Sequence, residues 1–319
     1  MFDAVAIGES LIDFTCKSTD AQGYPTMEAH PGGAPSNFLA AINRFGGKVA
    51  MLGKVGDDAF GHLLIGTLQE AGICTDGIAV DPDVFTTLAF VTLDAHGDRA
   101  FSFARKPGAD TCIRSEEIDL SLLDQTRLLH FGSLSLTDEP ARSATQHTVA
   151  YAKSHGKLVS FDPNLRAPLW KDLEVAKEQM IWGLKQADVV KISEEEVEFL
   201  FGISDPAAGA AYIRKECGVK LVFVTLGADG CWFDNGQACG HVDSLKDIAV
   251  KDTTGAGDIF GGSVLWQVLC TGKQPEELTE AELIRAVTFA CTAAGLSTTK
   301  AGGISSVPAL EEVQARLQA

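Results

Sequence analysis

The chain is short of positive charge. Its 26 lysines and arginines stand against 43 aspartates and glutamates in 319 residues, a formal charge of −17 with a pI near 4.7. That balance argues against non-specific nucleic-acid binding and against attraction to an anionic membrane, since both ask for a basic face. An anionic ligand must then be met by locally placed cations or backbone N–H groups. No uncharged apolar run reaches the ~18 residues of a spanning helix, and the opening MFDAVAIGES reads as a first strand rather than a basic leader. The eight cysteines (16, 74, 112, 217, 231, 239, 270 and 291) form no C-x-x-C pair and do not cluster with the seven histidines. Neither a disulfide framework nor a zinc site is signalled, and a reduced, cytoplasmic location is expected. Also missing are G-x-x-x-x-G-K-[ST], internal repeats, low-complexity segments and, after the first strand, G-x-G-x-x-G: VAIG runs straight into ESLID. A P-loop kinase and a dinucleotide-binding dehydrogenase are thereby set aside.

What is present is an alternation. Apolar, β-rich runs at 5–8, 49–53, 127–132, 157–162, 188–193 and 220–227 are separated by segments with helical apolar spacing, such as 35–47, 58–72 and 138–156. The length suits one large domain, and the repeated strand–helix–strand order predicts a mostly parallel sheet with helices on both faces. Two stretches break the rhythm, 12–31 and 84–112. They read as extra strands, the second a hairpin turning at His96-Gly97-Asp98. Such strands form either an ordinary surface hairpin or a small sheet over one edge of the core, which would be a lid.

The most telling stretch is DTTGAGDIFGG, Asp252 to Gly262. Without bulky side chains, Gly255, Ala256 and Gly257 let backbone N–H groups converge into a nest, and the residues after it read as a helix ending at Gly272. A nest at a helix N-terminus is an anion site. Asp258 is either a helix-start carboxylate or a base placed beside that site. Gly261 and Gly262 each cost such a helix about 1 kcal/mol relative to alanine, so something approaches its backbone closely. A nest for phosphate oxygens and a carboxylate for the proton of an attacking alcohol together suit phosphoryl transfer.

DTTGAGD resembles the carboxy-terminal signature of the ribokinase-like (PfkB) carbohydrate kinases, and PGGAPSN (31–37) followed by GKVGDDAFG (53–61) resembles their amino-terminal one. The resemblance runs over essentially the whole chain. FARKPGAD (103–110), FGSLSLTDEPARSA (131–144), FDPNLRAPLW (161–170), KISEEEVEFL (191–200) and VTLGADG (224–230) look like fructokinases in particular. It implies a three-layer αβα ribokinase-like fold over 1–319, with a mostly parallel central sheet and a small β-strand lid from about 12–31 and 84–112.

The resemblance also implies roles. Asp258 would be the catalytic base, with the amides of Gly255, Ala256 and Gly257 as anion hole. Asp13, Gly32, Gly33 and Asn37 would meet the sugar, although Asn37 also reads as a polar residue at a helix start. Arg105 and Arg166 would reach phosphate or sugar, against the alternative of ordinary ion pairs. ATP would lie along Lys191, Ser193, Thr225, Gly227, Gly230, Gly255, Gly257 and Ala290. Glu196 would help organise Mg2+ indirectly, in a motif where Ser193 replaces the family's Asn; Ser-x-x-Glu before an apolar run is equally a capping box. Asp252 and Thr254 would lie beside a monovalent cation such as K+, and exposed lid strands would pair in a homodimer. The activity implied is ATP-dependent phosphorylation of a sugar primary hydroxyl, D-fructose before 2-keto-3-deoxygluconate, whose kinases carry tyrosines where this chain has FSFAR. The reading from another class is a regulatory protein that keeps the kinase fold.

Overall fold

A computed structural model describes residues 1–93 and 99–318; the expected turn residues His96, Gly97 and Asp98 lie outside them. A central sheet is built from β1 (Phe2–Ile7), β4 (Val49–Gly56), β5 (Cys74–Asp81), β8 (Thr126–Gly132), β9 (Leu158–Asp162), β10 (Val189–Ser193), β11 (Leu221–Thr225), β12 (Cys231–Asp234) and β13 (Cys239–Val242). A second sheet holds β2 (Leu11–Thr19), β3 (Pro25–Gly32), β6 (Leu88–Leu93) and β7 (Arg99–Ala104). The helices are α1 (Ala34–Arg44), α2 (Ala59–Glu70), α3 (Ser121–Asp124), α4 (Ala141–Ser154), α5 (Leu173–Gln186), α6 (Glu194–Phe201), α7 (Pro206–Cys217), α8 (Ala256–Thr271), α9 (Glu280–Ser297) and α10 (Leu310–Gln318).

The period of two in each strand sorts side chains into two cores. Ala4, Ala6, Met51, Leu221 and Phe223 face α1, α8, α9 and α10, while Val5, Ile7, Leu52, Val222 and Val224 face α4, α5, α6 and α7. This gives three layers with the sheet buried on both sides, as the expected fold class requires. Strand order is β13-β12-β11-β10-β9-β8-β1-β4-β5, parallel except at β12 and β13. The chain steps outward from β1 through β4 to β5, then restarts at β8 on the other side of β1. That reversal opens a crevice at the C-terminal ends of β1 and β8, where ligands of open α/β sheets bind. The sequence reading omitted β5, β12 and β13: the first mixes polar residues into its run, and the other two are only four residues each.

The smaller sheet has the order β3-β2-β6-β7, so the two stretches that broke the rhythm pair with each other, β2 beside β6 in parallel. Phe14 stacks on Phe90 and meets Phe60 of α2 edge-on, which seats one face of this sheet on α2. Asp58 caps α2, accepting from the amides of Phe60 and Gly61, and its other oxygen accepts from Thr86, where the chain leaves for β6.

Candidate active site

The crevice is a cleft of about 530 Å³ whose wall brings together Asp13, Gly33, Asn37, Arg166, Lys191 and Asp258. Each arrives from a different element: Asp13 from β2, Asn37 from the first turn of α1, Arg166 from the loop after β9, Lys191 from β10 and Asp258 from α8. Gly255 occupies the left-handed region at φ 75° and caps α8, so the chain can enter the helix with its free amides turned outward. Asp258 accepts a 2.9 Å hydrogen bond from Asn37 Nδ2, a contact spanning 221 positions in sequence. Burial pushes the Asp258 carboxyl above the usual carboxylate range, while Asn37, Lys191 and Arg166 pull it back.

Lys191 is a largely buried cation 3.0 Å from Asp162. Burial works against its charge, but Asp162, Glu196 and Asp258 outweigh it and hold the ammonium protonated. A Cβ at Gly257 would lie 3.1 Å from Lys191 Nζ, so this glycine admits a cation beside the nest. Cation and amides thus address one point. Asp13 is pushed up to about 6 by burial, against the pull of Arg166.

A second pocket of about 290 Å³, mostly apolar, abuts the cleft and shares Thr253 and Gly257 with it. Thr225, Gly227 and Gly230 line it from the end of β11, and Phe260, Ala294 and Gly295 from α8 and α9. The first cleft is lined about equally by polar and apolar surface and the second is oily, with the nest between them. Residues 1–310 match the family model described as pfkB family carbohydrate kinase.

The chain belongs to the pfkB family of carbohydrate kinases. Among curated relatives, Fructokinase-2 of Solanum lycopersicum is 41% identical over 312 residues, covering 97% of this chain and 94% of that protein. Fructokinase-1 of Zea mays is 40% identical, with coverage of 97% and 95%. Among solved structures, fructokinase with bound ATP from Xylella fastidiosa has a TM-score of 0.91 at 31% identity, covering 100% of this chain and 99% of that one. Fructokinase from Vibrio cholerae O395 in its fructose-, ADP- and calcium-bound form has a TM-score of 0.87 at 33% identity, with 98% of each chain covered. As a pfkB kinase it is an ATP-dependent carbohydrate kinase, and no helix among the described residues is long and apolar enough to cross a membrane.

Several residues expected in this kinase's site lie elsewhere. Arg105 is buried behind the cleft wall: its Nε donates to Asp110 Oδ2 at 2.8 Å, and its terminal nitrogens to Thr137 Oγ1 and the Leu134 carbonyl. That guanidinium is a structural cation tying the end of β7 to the main body. Ser193 and Glu196 line neither pocket. They form the reciprocal capping box of α6, and the remaining Glu196 oxygen accepts from the Leu165 amide at 2.7 Å. Ala290 faces the core; the helical period puts Cys291, Ala294, Gly295 and Thr298 on the pocket instead. Gly32 does not line the cleft, because the group lying against it is the Asp13 carboxylate, 2.8 Å from where its Cβ would be. The close approach at Gly262 is also internal: a Cβ there would sit 2.3 Å from the Phe38 carbonyl of α1.

Two buried carboxyl groups were missed, Glu9 in the cleft wall and Asp162 beneath Lys191. Both follow directly on apolar strand runs, VAIG-Glu and LVSF-Asp, at the sheet edge where ligands bind. A charge directly after an apolar strand run was the signal available.

Proposed function

We propose that this kinase transfers the γ-phosphate of ATP to the 6-hydroxyl of D-fructose. The observation that carries it is the junction of the two pockets, where Asp258, held by Asn37, stands next to the Gly255–Gly257 amides and the Lys191 ammonium. The sugar lies in the first cleft between Asp13, Asn37 and Arg166. Adenine lies in the oily pocket, so the phosphates cross the nest. Asp258 orients the attacking hydroxyl and takes its proton late, as bonding to phosphorus makes the alcohol acidic. The amides and Lys191 stabilise the charge on the moving phosphoryl group in place of water.

Mg2+ would supply charge neutralisation on the phosphates. Among the described residues no group of three metal-ligating side chains exists, and both Glu196 oxygens are engaged by backbone amides. That fits an ion held largely by phosphate and water, with Glu196 acting at one remove. Asp252 and Thr254, joined by a 2.7 Å hydrogen bond beside the loop at Gly302, would hold K+. The small sheet, hung over the cleft by β2 and β7, acts as a lid that excludes water, and its outer strands β3 and β7 are the edges through which two copies would pair. Eight unpaired cysteines support a reducing compartment such as the cytoplasm.

A substrate carrying a carboxylate, such as 2-keto-3-deoxygluconate, would meet Asp13 and Asp258 but also Arg166 and Lys191 across the same cleft; the fructokinases among the relatives favour the neutral sugar. A coupled ADP-release assay over fructose, 2-keto-3-deoxygluconate, ribose, tagatose 6-phosphate and nucleosides is expected to show fructose as the best acceptor. Asp258→Asn should bind both substrates yet turn over ~10²–10⁴-fold more slowly. A near-parental rate in that variant would remove the base, and no rate on any sugar would favour a regulatory protein.

A further inference from the structure

Asp162 closes β9 and is 4% exposed, yet it lines neither pocket. β9 and β10 run in parallel with Ser160 opposite Val189 and Phe161 opposite Val190, so the next step of that register sets Asp162 beside Lys191. Val159, Phe161, Val190 and Ile192 point into the core under α4, α5, α6 and α7. The alternate positions, Asp162 and Lys191 among them, therefore turn to the face that carries α8. There the ammonium donates to both carboxyl oxygens, at 3.0 Å to Oδ2 and 3.3 Å to Oδ1, and Asp162 is its one ion-pair partner among the described residues. The same ammonium rests against Gly257 in the first turn of α8, where a Cβ would lie 3.1 Å from Nζ.

We propose that Asp162 is a positioning residue: it holds the Lys191 ammonium at the Gly257 end of the nest and keeps it from closing on the Asp258 carboxylate. The inference rests on the reading of Lys191 as the cation that meets the moving phosphoryl group. A lysine ammonium is a point charge on a flexible stem, so its place is set by whichever acceptor grips it. Two carboxyl groups compete for this one, because Asp258 also feels the Lys191 charge. An ion pair with Asp258 would occupy the oxygen that has to accept the proton of the sugar hydroxyl. Asp162 engages at most two of the three ammonium donors, which leaves one for a phosphate oxygen. Burial pushes the Asp162 carboxyl up, the Lys191 ammonium pulls it back, and Glu196 and Asp258 push it further up. Each member of the pair thus favours the charge on the other.

The test is a double-mutant cycle in kcat over the parent, Asp162→Asn, Lys191→Met and the double variant, with KM for fructose measured alongside. Asparagine keeps the shape and one acceptor but not the charge. Asp162→Asn should therefore lower kcat about 10–100-fold, the cost of a misplacement of ~1 Å, while KM for fructose stays within about twofold. In the Lys191→Met background the same change should cost nothing further, because no ammonium is left to place. That comparison stands by itself if Asp162→Asn alone fails to fold, since the double variant replaces the ion pair by a neutral pair and leaves no lone buried charge. Parental kcat in Asp162→Asn, a loss carried by KM for fructose, or a drop of the same size repeated in the Lys191→Met background would overturn the inference and leave Asp162 as a structural ion-pair partner. Parental kcat in Lys191→Met would remove the reading of Lys191 itself, and this inference with it.

Discussion

Replacing Gly262 by alanine is expected to destabilise this kinase, although alanine is the better helix former. On propensity alone the substitution should stabilise α8 by about 1 kcal/mol. The added Cβ, however, would lie 2.3 Å from the Phe38 carbonyl and 2.9 Å from the Ala41 Cβ, both on α1. Neither neighbour is the flexible end of a side chain, so α1 has to move away from α8. Such overpacking costs ~1–3 kcal/mol and more than cancels the propensity gain. The net loss should lower the thermal midpoint by about 1–3 °C in a chain of this length. A second effect follows, because Asn37 adjoins Phe38: shifting α1 stretches the 2.9 Å bond to Asp258. Misplacement by ~1 Å can cost about 10²-fold in rate, so kcat should fall ~10–100-fold. Gly261→Ala is the matched control. Its Cβ would meet only the Phe38 ring, at 3.5 Å, an ordinary contact, so that variant should melt higher by up to a few degrees with kcat retained. Scanning fluorimetry and steady-state ADP release read both effects. If Gly262→Ala melts as high as Gly261→Ala and turns over like the parent, the helix-contact argument is wrong.

The raised pKa values of Asp258 and Asp13 place the acid limb of kcat/KM above the ordinary aspartate range, since the base must be ionised to act. Lys191→Met removes a cation that lowers the Asp258 pKa, so the limb should move to higher pH as kcat drops; a pH–rate profile with an unmoved limb would exclude this electrostatic link. Asp58→Ala deletes the acceptor of three backbone amides and should cost about 2–3 kcal/mol by thermal or urea melts. Asp58 is partly buried, which raises its pKa, but the Thr86, Gly61 and Phe60 amides outweigh burial and depress it. Its contribution is therefore present above its unfolded pKa and lost as pH falls through the folded one, so parent and variant should converge in acid. Lid closure predicts that saturating fructose slows amide exchange in β6 and β7; identical exchange with and without sugar would refute closure over this cleft.

The sequence by itself determined the local chemistry. Strand and helix periods depend on near neighbours, so the parallel runs, the glycine nest at the start of α8, the αL cap at Gly272 and the Ser193–Glu196 capping box were all legible from short patterns. Asp258, Asp13, Asn37, Arg166 and Lys191, to which the family resemblance pointed, line one cleft. What only the tertiary structure decided is which distant group each side chain meets. Arg105 read as either a ligand-contacting cation or an ion-pair partner until Asp110, Thr137 and Leu134 surrounded it, and Ala290 lost its place to Cys291 because the rotation of α9 is set by packing. Gly262 announced a close approach without saying that α1 was the visitor. The order of strands around β1 brings residue 37 to residue 258, sets buried Glu9 in the cleft wall and puts Asp162 beneath Lys191. Local propensity carries no information about strand order, which is set by burying both faces of the sheet at once.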